Sequence, residues 1–280
     1  MKTNKKRVVL LLLAVVTACF MAGCGGQSGG KTVDPAEAYA LYEEITANME
    51  SVTSMKVKAD ADIKAETDDG NMEMHMIVDM AATGLSETGA DMEMEMRTTM
   101  ELKGDAAESI ASALGGATIE MASYYIDGYY YMDMMGLKGK MSMPVEQMIE
   151  QMNTQNNASL VEIEKEMMKN VSITEENGKT ILDITLDGES MSSYIDQIFA
   201  SNSMGGMASS EGMTMGDMTL KTVIGDNKMT ESQTIIVDMS MDTDGQVTKM
   251  SCVMTSTYSD LNGDFTIEFP DFSEYQEVSM

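Results

Sequence analysis

The run MKVKADADIKA, residues 55–65, has an apolar residue at every second position and a charged residue at each of the five positions between. MEMHMIVDMAA (72–82) and MEMEMRTTMEL (92–102) carry the same beat, with Met72, Met74, Met76, Val78, Met80 and Ala82, then Met92, Met94, Met96, Met100 and Leu102 in phase. Successive side chains of a strand point to opposite faces, so a period of two means one dry face and one solvated face. A helix would scatter the same residues around its whole circumference. The turn formers Asp68, Asp69, Gly70 and Asn71 separate the first two runs, and the stretch from Gly84 to Gly89 separates the second and third. Three such runs joined by turns predict an antiparallel meander.

Upstream, Asp34-Pro35-Ala36-Glu37 reads as a helix start: a capping carboxylate, a proline in the first turn and an acid at the positive end of the dipole. Ala38, Leu41, Tyr42, Ile45, Met49 and Val52 then fall on one helical stripe. Downstream, residues 105–117 form a small-residue connection. The β-rich runs Thr118 to Ile126 and Tyr129 to Met135 flank Asp127-Gly128, a two-residue hairpin signal. Pro144 opens a helix through Met152, and a further helical segment is expected at about 160–168. Val171 to Ile173 and Thr180 to Leu186 are strand-like around Glu176-Asn177-Gly178, and a helix is expected near Met191 to Ala200. Residues 201–216 are rich in Gly, Ser and Met and read as a mobile loop. Four strands close the chain: Met218 to Ile224, Met229 to Met241, Gln246 to Tyr258, and Phe265 to Phe269 before Pro270. The expected fold is α+β, with a large curved antiparallel sheet of about ten or eleven strands. It forms a half-open barrel with helices covering its concave face.

This order of elements, with YYIDGYYYM at 124–132 and FTIEFP at 265–270, resembles the half-open β-barrel lipoproteins of the LolA-like and LppX/LprAFG type, and uncharacterised Firmicute lipoproteins. The resemblance spans most of residues 34–275 and implies a concave face that holds an acyl chain or an apolar peptide. No ligand residue carries over by motif. The residues themselves support an apolar hollow independently. The chain has 34 Met, no Trp and only five Phe. Unbranched thioether side chains adapt to variable apolar shapes. The expected lining is Met74, Met76, Val78, Met94, Met96 and Met100 from the meander, with Leu41 and Ile45 from the helix. The competing reading is an ordinary filled core in which Met stands in for Leu and Val.

Metal and catalytic chemistry have less support. Met72-Glu73-Met74-His75-Met76 resembles a Met-x-Met copper motif, because thioethers suit Cu(I). Those Met, however, occupy inward strand positions where an apolar residue is needed anyway, and His75 falls on the opposite face. Met204, Met207, Met213, Met215 and Met218 are not accounted for by alternation and form the weak alternative metal set. Asp242-Thr243-Asp244-Gly245 opens like a calcium loop, but Val253 stands where the closing Glu is required, so a hairpin turn is the better reading. His75 is the only histidine, and it lies on a wet strand face. Cys252 alternates with Met250 and Met254 and points inward. With no nucleophile elbow near His75, the chain reads as a non-enzyme without a cofactor.

The N-terminus sets location. Lys2, Lys5, Lys6 and Arg7 precede an apolar run from Val8 to Met21, which is shorter than the roughly 20 residues a spanning helix needs. Met21-Ala22-Gly23-Cys24 follows and resembles the bacterial lipobox. Residues 1–23 are the expected signal peptide, Cys24 the lipidated residue, 24–33 a flexible tether, 34–275 one domain and 276–280 a tail. Removing 1–23 takes away four of the 18 basic residues and none of the 46 acidic ones, leaving 14 against 46 and a net charge of −32. That surface argues against nucleic acid. With Cys19 cleaved off and Cys24 lipidated, Cys252 has no disulfide partner. The expected protein sits on the extracytoplasmic face of the cell membrane, anchored by its lipid. It binds or carries a lipid or acyl chain. The alternatives are an envelope scaffold or sensor domain that binds another protein, and copper binding by the Met loop.

Overall fold

The computed structural model describes residues 31–67, 70–85, 91–105, 107–108, 111, 116–149, 163–192, 213–243 and 246–278. The expected signal peptide, Cys24, most of the expected tether, Met204, Met207 and the expected helical residues 150–152, 160–162 and 193–200 lie outside these residues.

The meander forms as the alternation requires, with β2 (Met55–Thr67), β3 (Gly70–Thr83) and β4 (Glu93–Lys103) paired antiparallel. Before it come β1 (Lys31–Thr32) and α1 (Pro35–Glu50). After it come β5 (Thr118–Ile126), β6 (Tyr129–Met134), β7 (Leu137–Ser142), β8 (Met168–Glu176) and β9 (Lys179–Leu186). The chain continues through β10 (Met213–Met215), β11 (Met218–Ile224), β12 (Thr230–Thr243), β13 (Gln246–Ser259) and β14 (Gln276–Glu277). All belong to one 14-stranded sheet, ordered β1-β8-β9-β11-β12-β13-β2-β3-β4-β5-β6-β7-β14, with β10 also on β12. Its two ends, β1 and β14, do not meet, so the sheet is not closed. The joint between the two wings is the β13–β2 ladder, from Lys249 opposite Glu66 to Ser259 opposite Lys56.

Several expectations change. Of the helix expected at about 160–168, the described part holds only a 3-10 turn, Lys165–Met167, and Met168 already opens β8. Phe265 to Phe269 is not a strand: residues 263–271 form no ladder. Pro270 removes a donor there, and the neighbouring aromatic rings find a better surface on β5 and β6 (below). Met213 and Met215 are not loop residues, because β10 pairs them with Met241 and Met239. Lys31 and Thr32, expected within a flexible tether, pair with Ile173 and Ser172 of β8. β7 was not expected as a strand, since LKGKMS has too few apolar residues to alternate. It is set by the turn before it, where Met135 and Gly136 take φ of 54° and 84°. The same left-handed pair occurs at Asp127-Gly128 and Asn177-Gly178, the two hairpins that the sequence did announce.

The Asp34 side chain accepts from the Ala36 N–H at 2.8 Å and caps α1. The helix buries Ala38 and Ile45 and lies against β8 and β9. Those two residues join the dry face of the sheet in one apolar cluster that runs from Val171 and Leu182 through Met254 to Met76 and Met100. At its centre the short residues of β2 face long ones on both sides. Ala61 lies between Met76 and Met254, and Ala65 between Met72 and Met250. Alternating short and long side chains lets a row of thioethers lie down over the alanines and fill the layer. A second cluster holds Ala82, Met92, Met94, Tyr125, Met143 and Met148.

Candidate functional site

Ladder register settles which residues share the dry face, because directly opposed residues point the same way. Starting from β2, Val57 stands opposite Met80, Met80 opposite Met96, Met96 opposite Ser123, and Ser123 opposite Met132 of β6. The neighbouring row runs from Ala59 through Val78, Thr98 and Met121 to Met134. Both rows begin inside the sheet and run through β6 to β7, at Gly139 and Leu137.

Cover over this face is uneven. At the centre, Ile63, Met76, Cys252 and Met254 are at most 1% exposed. Toward β6 the face opens. Met80, Met96 and Met121 are half-buried, and Met132 and Met134 are 38% and 40% exposed. Beyond them, Met135 and Leu137 at the β6–β7 turn are 47% and 73% exposed. Within the first row, Ser123 is 4% exposed and its Oγ has no hydrogen-bond partner. A buried hydroxyl without a partner costs about 1–3 kcal/mol, which a polar atom brought to it would recover.

The outer face of the same strands has the reverse cover. Tyr124 and Tyr131, opposed across β5 and β6, point outward. The C-terminal segment crosses them there. Phe272 stacks on Tyr131 with ring centroids 3.8 Å apart, Phe272 and Phe269 meet Tyr124 edge-on or nearly so, and Tyr275 stands edge-on to Tyr131. Burial pushes the phenols of Tyr124 and Tyr275 up from their ordinary range. The 3-10 turn Phe272–Glu274 is held by Lys138, which pairs with Glu274 at 2.5 Å, and β14 runs parallel to β7. The tyrosine run therefore does not line one mouth. Strand alternation sends Tyr124 and Tyr131 under the strap and Tyr125 inward, where its hydroxyl donates to the Met143 carbonyl at 3.1 Å.

Of the eight residues expected to line a hollow, Met74, Met76, Val78, Met100 and Ile45 are buried in the main cluster, with Leu41 and Met96 packed against it. Met94 lies in the second cluster. The residues on the open stretch that sequence reasoning missed are Met121, Ser123, Met132 and Met134. Their signal was present: Met132 and Met134 alternate with Tyr131 and Asp133, but a six-residue strand is too short to show which face is dry. Met218 is buried in β11, so strand alternation accounts for it together with Met213 and Met215. Cys252 is fully buried, as its phase implied. Thr243 pairs with Gln246 at the end of the β12–β13 ladder, the register expected of a hairpin.

A family model described as a family of unknown function, DUF6612, matches residues 37–273. No curated protein matches the chain. Among solved structures, it is similar to LprF from Mycobacterium bovis, with 14% identity over 86% of this chain and 99% of that one, and a TM-score of 0.42. The lipoprotein LppX of Mycobacterium tuberculosis is 9% identical over 84% and 100%, with a TM-score of 0.35. A putative outer membrane lipoprotein-sorting protein domain from Vibrio parahaemolyticus is 10% identical over 86% and 98%, with a TM-score of 0.24.

Proposed function

The chain belongs to the DUF6612 family, and for this member we propose an extracytoplasmic lipoprotein, anchored through Cys24, that takes one acyl chain onto the open stretch of its dry face. The observation that carries this reading is the continuity of that stretch: Met132, well exposed, lies in register with half-buried Met96 and Met80, and Met134, equally exposed, with half-buried Met121 and buried Thr98 and Val78. An acyl chain laid along Met134, Met121 and Met132 extends the core outward without burying any charge. Thioethers shift rotamer cheaply to fit it. Each methylene covered contributes about 0.8 kcal/mol. The ligand's polar end, uncharged as an ester or a protonated carboxyl, meets the Ser123 hydroxyl, which lies buried in the same row.

The test is titration of the purified, organic-extracted chain with a fluorescent fatty acid, with intact-mass analysis of the same preparation before extraction. The expected mass lacks residues 1–23, carries a diacylglyceryl group and shows a co-purifying lipid. Saturable probe binding should weaken about tenfold or more when Met132→Asp and Met134→Asp are combined, since an acyl chain would desolvate the new carboxylates. Ser123→Ala should weaken it several-fold, the worth of about one hydrogen bond. Val253→Asp, on the outer face of β13, should leave it unchanged. Failure to bind the probe, or equal binding by the double variant, refutes the carrier reading.

A further inference from the structure

The outer face of β2 and β3 holds a second constellation, unrelated to the apolar stretch. The β2–β3 ladder places Asp62 directly opposite His75, and Asp60 is two residues along β2 on the same face. His75 Nδ1 lies 3.0 Å from Asp62 Oδ1 and 3.7 Å from Asp60 Oδ1. The three ligand atoms lie within 4.8 Å of one another. All three side chains are open to solvent on one side, at 36% for His75, 52% for Asp60 and 62% for Asp62.

From this geometry we propose a surface site for a borderline divalent cation of the Zn²⁺, Ni²⁺ or Cu²⁺ type, held by Asp60, Asp62 and His75. Four-coordinate zinc binds N and O ligands at about 2.0–2.2 Å, so its ligand atoms stand roughly 3.3–3.6 Å apart. The observed spacings of 3.0 and 3.7 Å from the imidazole bracket that edge, and all three ligand atoms lie within 4.8 Å, so a cation enters once the two exposed carboxylates turn toward each other. The ligands sit on paired strands, whose backbone needs no ordering when the ion binds. A hollow of about 270 Å³ borders the site, lined by Asp62, Lys64, Glu73, His75 and Lys103, and leaves room for water in the remaining coordination positions.

The donor set selects the class. An imidazole with carboxylates suits borderline metals. Two carboxylates fall far short of the six to eight oxygens that calcium takes. Cu(I) prefers thioethers, but Met74 and Met76 flank His75 from the opposite face, where both are buried. The two carboxylates cancel the ion's charge, and neither is paired with a lysine among the described ion pairs.

His75 is the only histidine, so its ring gives a single imidazole signal by NMR. Zinc titrated into the purified, metal-free chain should saturate at one equivalent and move that signal. His75→Gln and Asp62→Asn should each weaken binding about tenfold or more. Asp79→Asn, on the same face of β3 beside Lys58, should not. The substituted side chains are exposed, so melting temperatures of the apo variants should match. Zinc uptake that leaves the imidazole signal in place, or that His75→Gln does not weaken, would mean diffuse association with an anionic surface and would overturn the site.

Discussion

Met76→Ala separates a filled centre from a hollow one. Met76 is 1% exposed and stands between Ala61 on β2 and Met100 on β4. Truncating a buried Met to Ala costs about 2–5 kcal/mol, and the cost rises with the cavity left unfilled. One lateral neighbour is already an alanine, which cannot lean into the gap. Collapse must come from Met100 alone, so the upper half of the range applies, about 3–4 kcal/mol. For a chain of this size each kcal/mol lowers Tm by about 2–4 °C, giving a fall of roughly 10 °C. Met134→Ala removes the same atoms from a side chain 40% exposed and should change stability by less than about 0.5 kcal/mol. Urea denaturation, comparing midpoints at constant slope, reads both. A cost below about 1 kcal/mol for Met76→Ala would mean that its thioether borders empty space. The division into a packed centre and an open end at β6 would then be wrong.

Two further variants probe backbone and titration. Gly104 has φ of +102°, and a Cβ there would come within 2.3 Å of the Asn71 carbonyl oxygen, so Gly104→Ala should cost more than about 2 kcal/mol; at Gly136, where φ is +84° but nothing lies within 4 Å, alanine should cost about 1 kcal/mol by the same denaturation assay. Burial pushes the Tyr258 phenol up to about 12 from its ordinary 10, so the fold favours the neutral form. That stabilisation is complete below pH 10 and is lost as pH climbs toward 12. It amounts to about 2–3 kcal/mol. Tyr258→Phe should flatten this alkaline decline in urea midpoint, and an unchanged slope would contradict the assignment.

The long strands were legible because each had enough residues to state its period. β2, β3 and β4 lie where the 55–65, 72–82 and 92–102 runs predict, and the helix begins at the expected cap. β1, β10 and β14 have only two or three residues each, too few to show a period, and exist because a neighbouring edge was available. Phe265, Ile267 and Phe269 alternate like a strand, yet the rings of Phe269 and Phe272 serve the outer face of β5 and β6, and Phe265 lies against Lys56 of β2. Local pattern shows that a residue is destined for burial; only the fold shows against which face. The candidate sites fell on the same divide. Inward phase located the buried thioethers, whereas the opening at β6 and the pairing of His75 with Asp62 depend on ladder register between runs.

An exposed greasy end on a sheet with free edges invites association between copies. Here the same alternation that builds the dry face supplies the countermeasure. Every inward Ala or Ile of β2 is separated from the next by an outward Lys or Asp, and the chain as a whole carries a net charge of −28. Two molecules that approach through Met134 and Leu137 must also bring together strongly anionic surfaces, and over the Debye length of about 8 Å that repulsion is felt before thioethers touch. A single uncharged acyl chain meets no such barrier. The charge pattern therefore discriminates between the two apolar partners open to this surface, another copy and a lipid, and raised salt should erode that discrimination by letting the chain self-associate through β6.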